Sequence, residues 1–203
     1  MNHPTLLCVG ILFGLYVGRM WLADRRAERL GQPLPNALPG ATEAPPRAVI
    51  LAVAGGVLLV AAETWGEVRL GVAAEQSRMT WLFALYSILA APLIEEIIFR
   101  GWLVVERRGN FVMWAAAFGA SILFALLHPF LWRWDSHGFA FAFDTKGWFS
   151  TGVVMATSIW LYFVRLTPWN PRRSLLPCFA GHAAKNVAVV AVKAMTGYMA
   201  GLW

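Results

Sequence analysis

Charge is scarce in this sequence. Of its 203 residues, 14% are charged and 59% are apolar. A soluble domain runs near a quarter charged and half apolar. One water-exposed domain of this length cannot hide so much apolar surface in a single core. Soluble enzymes and nucleic-acid binders are thereby excluded. Like charges do not cluster: no run of five exists, and no basic and aromatic residues interleave into a stacking platform. The net charge of +6 therefore reads as the loop Lys and Arg of a membrane protein. Cysteine is nearly absent. Cys8 and Cys178 lie far apart, each in an apolar stretch. No disulfide framework is implied, and both are expected as buried small hydrophobes. Several catalytic signatures are missing too. There is no His-Glu-x-x-His, no Gly-x-Ser-x-Gly, no Walker loop and no pair of Asp residues within the spans. The usual helical zinc protease, the serine-hydrolase elbow, the P-loop NTPase and an aspartyl intramembrane protease lose their signatures with them.

What the sequence has is long apolar runs. Crossing a bilayer takes ~20 apolar residues, and on that measure the chain reads as an all-α, polytopic transmembrane bundle of about six spanning helices. The expected spans are Thr5–Ala23, Ala48–Ala62, Met79–Val105, Phe111–His128, Trp148–Val164 and Leu175–Val192. The first is followed by Arg25, Arg26 and Arg29, the reverse of the charge order of a cleaved signal, so it reads as a retained anchor. Gly31 to Pro46 is rich in Pro and Gly and reads as a flexible or surface-lying loop. Pro129–Lys146 is rich in aromatics, and the parity of the topology depends on whether it re-enters the membrane. The loops after the first, third and fifth spans hold nine Lys and Arg, against five on the other side. The richer side is expected to be cytoplasmic, with both termini outside. No repeat divides the chain, so residues 1–203 read as a single transmembrane domain.

Ionisable groups inside a span cost ~2.5–3.5 kcal/mol each on insertion scales, and they survive where they face protein or a wet cavity. Three spans carry them. In the third, Pro92 can kink the helix just ahead of Glu95 and Glu96. Glu96 and Arg100 are spaced i, i+4 in the favourable order for an ion pair, which leaves Glu95 free to point elsewhere. Neutralising Arg100 needs only one of the two acids. The fourth span ends in His128-Pro129, and the sixth places His182 and Asn186 on one face, one turn apart. Taken singly, His128 reads as a structural or interfacial residue, and His182 with Asn186 as a helix–helix hydrogen-bond contact. Lys185 is open to three readings: it snorkels, pairs with an acid or faces a cavity. Taken together, these groups supply a base, an imidazole beside it and two hydrogen-bond donors, the set that amide hydrolysis needs. Glu95 would draw a proton from water, His128 would hold the same water, and His182 and Asn186 would donate to the oxyanion at ~3 kcal/mol each. The same acids and imidazoles could also ligate a divalent metal, so a metal-dependent protease stays open.

Glu95-Glu96-x-x-x-Arg100, Phe124-x-x-x-His128 and His182-x-x-x-Asn186, in that order and each within a span, resemble the CAAX protease and bacteriocin-processing family. These are glutamic intramembrane endopeptidases related to the CAAX prenyl proteases. The resemblance covers roughly residues 79–192, the helices it marks as catalytic. It implies Glu95 as water activator, His128 acting with it, His182 and Asn186 as oxyanion donors, and Glu96 and Arg100 as supporting residues, with no metal and no cofactor. It further implies an integral, multi-pass protein of a bacterial or archaeal cell membrane. Its partners would be the bilayer and a membrane-associated protein or peptide substrate, lipidated or not, with no nucleic acid. The alternative within the same fold is a non-catalytic membrane binding or immunity protein. A proton-coupled carrier is disfavoured, since paired discontinuous helices are lacking. At ~1.5 Å per residue from the Arg-rich side, His182 should lie shallow, Glu95 at mid-depth and His128 deep.

Overall fold

The computed structural model describes residues 3–135 and 138–203. Each expected span is helical. α1 (Pro4–Arg29) and α2 (Pro46–Leu70) both begin with proline, whose missing N–H costs nothing in a first turn. α2 is longer than Ala48–Ala62 and carries Glu63 and Glu67 within it before Gly71 closes it at φ 73°. The third span is broken. α3 (Trp81–Leu89) starts on Thr80, whose hydroxyl accepts from Phe83 N. α4 (Ala91–Glu96) starts at the Ala90 junction, and Ile97–Trp102 continues as π-helix. Pro92 has no N–H to return to the preceding turn, which accounts for the break at Ala90. α5 (Asn110–Leu127) ends at an extended His128, the conformation that a following proline favours. α6 (Thr145–Leu166) is capped by Asp144, whose carboxylate accepts from Gly147 N at 2.6 Å. α7 (Leu176–Met195) completes the set.

The aromatic segment between α5 and α6 forms a hairpin. β1 (Trp132–Asp135) and β2 (Gly138–Phe141) pair antiparallel, with Trp132 opposite Phe141 and Trp134 opposite Phe139. Strands of four residues reach about 13 Å, far short of the ~30 Å hydrocarbon core, so the hairpin does not cross it.

Among the described residues, five helical stretches are long and apolar enough to cross a membrane: α1, α2, Trp81–Trp102, α5 and α6. α7 has 20 residues, about 30 Å of helix, but His182, Lys185, Asn186 and Lys193 make it too polar to qualify. It packs mainly on α2 and also touches α3, α4 and α6. Large apolar side chains such as Leu12, Ile50, Leu58 and Phe118 face outward, as a lipid solvent allows.

Two expectations are corrected. Cys178 is buried, but Cys8 is exposed. α1 turns inward only the stripe Leu7, Ile11, Gly14, Gly18 and Trp21, and Cys8 lies off it. The Gly31–Pro46 linker lies at the surface, with Ala41 its one buried residue, but it is tied down rather than flexible. Trp21 Nε1 donates to Pro39 O (3.2 Å), Leu38 N to Asp24 Oδ2 (2.8 Å) and Ser174 Oγ to Thr42 O (2.7 Å). Ala41 joins Trp21, Ile97, Leu161, Leu175 and Cys178 in a core cluster.

Candidate active site

The broken third span carries the acids. Glu96 and Arg100 are both fully buried, and Arg100 Nη1 donates to Glu96 Oε1 at 3.1 Å. The rest of the guanidinium lies over aromatic faces, 4.5 Å from the Phe124 ring centre and 5.0 Å from that of Tyr162, which compensates for N–H groups with no acceptor. The Tyr162 hydroxyl donates to Phe99 O at 2.5 Å. It thereby satisfies a carbonyl of the π-turn, a helix irregularity common at working sites.

α7 brings His182 to both acids. Its Nδ1 lies 2.8 Å from Glu96 Oε1, and its Nε2 lies 3.9 Å from Glu95 Oε2. Glu96 therefore holds the ring by one nitrogen and leaves the other facing Glu95. Glu95 Oε2 is itself buried without a hydrogen-bond partner. A gap of 3.9 Å between two polar atoms suits a bridging water with legs of ~2.8 Å. α7 also aims Asn186, whose Nδ2 donates to Ser87 O at 2.6 Å. An amide nitrogen carries two N–H groups, so the second stays available.

His128 stands on the other side of Phe124. Its Nδ1 is 2.8 Å from Phe124 O, and its ring centre is 4.7 Å from the Phe124 ring. The carbonyl can only accept, so Nδ1 carries a proton, and Nε2 is the nitrogen left for other partners. His128 makes no direct contact with a carboxylate within 4 Å among the described residues; Glu95, His182 and Lys185 act on it electrostatically. Phe124 also sits edge-on to His182, with centres 6.4 Å apart. One ring therefore separates Arg100, His128 and His182.

His182 and Glu95, expected at different depths, share one level. Their helices begin at different heights: Cys178 Sγ already reaches Leu161 O (3.4 Å), a turn inside the end of α6. Sequence reasoning missed the partner of Lys185. Its Nζ lies 3.7 Å from Glu63 Oε2, and one turn further Glu67 pairs with Lys146 and Gln76. The signal was present, because the inward row Ala48, Ala52, Gly56 and Val60 continues at helical spacing into Glu63 and Glu67. Glu63 also borders an apolar groove of about 480 Å³ between α2 and α6, lined by Leu59, Trp148, Phe149 and Val153. Among the described residues, no three His, Cys, Asp or Glu side chains are grouped to hold a metal ion.

Residues 77–188 match the family model described as Rce1-like, type II CAAX prenyl endopeptidase. Glu95, Glu96, Arg100, His128, His182 and Asn186 all fall inside that stretch, while α1 and α2 fall outside it. No curated protein and no solved structure matches the chain.

Proposed function

The chain belongs to the Rce1-like, type II CAAX prenyl endopeptidase family, and from that membership we propose that it is a multi-pass intramembrane endopeptidase of the glutamic type. The observation that carries this reading is the unpartnered, buried Glu95 Oε2 facing His182 Nε2 at 3.9 Å.

Glu95 takes a proton from the water between them as that water attacks the scissile carbonyl. The neutral tautomer of His128 presents Nε2 to receive that proton from Glu95 and pass it to the leaving amine as the C–N bond breaks, which restores the Glu95 carboxylate. The developing oxyanion is met by the free N–H of Asn186 and by His182 Nε2–H. With Nδ1–H given to Glu96, Nε2 can donate only in the imidazolium form. In that form Glu95, Glu96, Arg100 and His182 sum to zero charge, which explains the second acid: Glu96 serves His182 as well as Arg100. Ser87 fixes Asn186, and Phe124 keeps the two imidazoles apart. No step calls for a metal ion, and cleavage is expected to persist in protein stripped with a chelator.

The substrate is a membrane-associated protein or peptide, and a lipidated one fits the apolar groove that ends at Glu63. The same fold without catalysis would serve as an immunity or binding protein. A comparison of protein termini in membranes from cells carrying the wild-type chain or Glu95→Gln separates the two and identifies the substrate. New termini that depend on Glu95 are expected. Identical termini in both membranes would leave only the binding role.

A further inference from the structure

A second cluster of charged side chains lies at the opposite end of the π-turn, away from the proposed catalytic groups. A cavity of about 810 Å³ opens between Gly101, the turn after it, and the Pro39–Gly40 corner of the linker. Its polar lining is Glu106, Arg107, Arg108 and Arg165. Arg165 is 4% exposed. Its Nε donates to Arg173 O (3.2 Å) and its Nη2 lies 3.5 Å from Glu106 Oε1. Its Nη1 is buried and has no partner.

Glu106 does not account for this cluster by itself. Its other oxygen is taken by Arg173 at 3.0 Å, so one carboxylate is shared by two guanidiniums. Arg107 and Arg108 are exposed at the mouth and have no ion pair among the described residues. One acid thus faces four arginines, and a buried guanidinium N–H is left without an acceptor, an arrangement costly unless an anion completes it. The planar fork of arginine suits a tetrahedral oxyanion.

The walls indicate where that anion comes from. Val104, Val105 and Val112 line the cavity, and Trp102 and Phe111 stand exposed beside it. The cavity opens on the Arg-rich side, where the π-turn ends at Trp102, α5 begins at Asn110 and α6 ends at Leu166. Basic pockets between helix ends on that face accept anionic headgroups. We infer that this cavity is a binding site for the phosphodiester headgroup of an anionic phospholipid, with Arg165 as its buried donor, Arg107 and Arg108 as its entrance, and the valines in contact with the first acyl carbons. The lipid would tie the end of the π-turn to α6 and to the linker.

The test uses the purified full chain in neutral detergent, with thermal unfolding followed by tryptophan fluorescence. Dihexanoyl-phosphatidylglycerol, dihexanoyl-phosphatidylcholine and inorganic phosphate are titrated separately. Phosphatidylglycerol is expected to raise the midpoint saturably, and the other two to leave it unmoved at equal concentration. Arg107→Gln/Arg108→Gln should weaken the apparent affinity at least tenfold. Arg26→Gln/Arg47→Gln removes the same charge from the same face outside the cavity and should leave the affinity unchanged. These exposed positions avoid the folding risk of changing Arg165. An equal loss in both double variants would show diffuse surface attraction and overturn the site. An equal response to inorganic phosphate or to phosphatidylcholine, or none to phosphatidylglycerol, would also overturn it.

Discussion

α1 and the stretch Trp81–Trp102 are similar in length and both strongly apolar, yet they are built for different tasks. α1 is one unbroken helix of 26 residues whose inward stripe holds no ionisable group. Trp81–Trp102 is broken at Ala90, wound as π-helix from Ile97 and loaded with Glu95, Glu96 and Arg100. The unbroken helix braces the broken one. A Cβ at Gly14 would stand 2.6 Å from the Cβ of Ala90, and one at Gly18 would stand 2.7 Å from Leu93 Cδ1, so α1 leans on the break itself. A continuous helix supplies its own hydrogen bonds and can hold position. A broken one gives up some of that order to turn side chains to places a regular helix cannot reach. Substitutions on the two helices should therefore fail in different ways.

The largest effect is expected from Glu95→Gln on the broken helix. Loss of a positioned base costs ~10²–10⁴-fold in rate. Substrate cleavage should fall by that range while the unfolding midpoint stays within a degree of wild type. An inactive protein that also unfolds early would show that Glu95 holds the fold instead.

Arg100→Met should come next, and through stability. It leaves Glu96 buried with only His182, and breaking a buried pair by removing one partner costs ~3–5 kcal/mol. Denaturant unfolding in detergent measures this directly. Glu96→Gln/Arg100→Met, which removes both charges, should recover most of the stability and little activity, because the amide that replaces the Glu96 side chain no longer offers His182 a carboxylate. Recovery of activity along with stability would mean that Glu96 serves Arg100 alone.

Gly14→Leu tests the brace. The new side chain has no room against Ala90, and overpacking costs ~1–3 kcal/mol. Because Ala90 begins the segment that carries both acids, cleavage should drop more than the stability loss alone explains. Gly119→Leu on α5, where a Cβ meets nothing within 4 Å, should change neither.

How much of this was legible in the sequence follows the same division. Continuous helices show themselves in apolar runs, and all six expected spans are helical. Pro92 announced the kink, and the spacing of Glu96 and Arg100 announced their ion pair. The π-turn had no local signature, because it depends on Tyr162 reaching Phe99 O across 63 residues of chain. The Asn186–Ser87 contact spans 99 residues and the His182–Glu96 contact 86, so helix periodicity gave the faces but not the partners. Lys185 stayed ambiguous for the same reason: Glu63 lies on a helix that carries no motif. The linker looked loose because Pro and Gly mark turns, but the Asp24, Trp21 and Ser174 side chains that pin it lie outside it.

The smallest effect should come from the serine joint between α6 and α5, the helix that ends at His128. Ser158 Oγ donates to Ser121 Oγ at 2.9 Å, and Ser121 Oγ donates to Ala117 O at 2.8 Å. Both serines are fully buried. Hydrogen bonds between helices in a membrane average only ~0.6 kcal/mol, so Ser158→Ala should cost about that much. The joint is a single bond between two unbroken helices, and α5 keeps its packing on α6 through Phe124, Ala125 and Val154. His128 should therefore hold its height, and the rate of cleavage should be unchanged within twofold. A tenfold loss of rate from Ser158→Ala, at wild-type stability, would show that this one bond, and not the packing of α5 on α6, holds His128 in place.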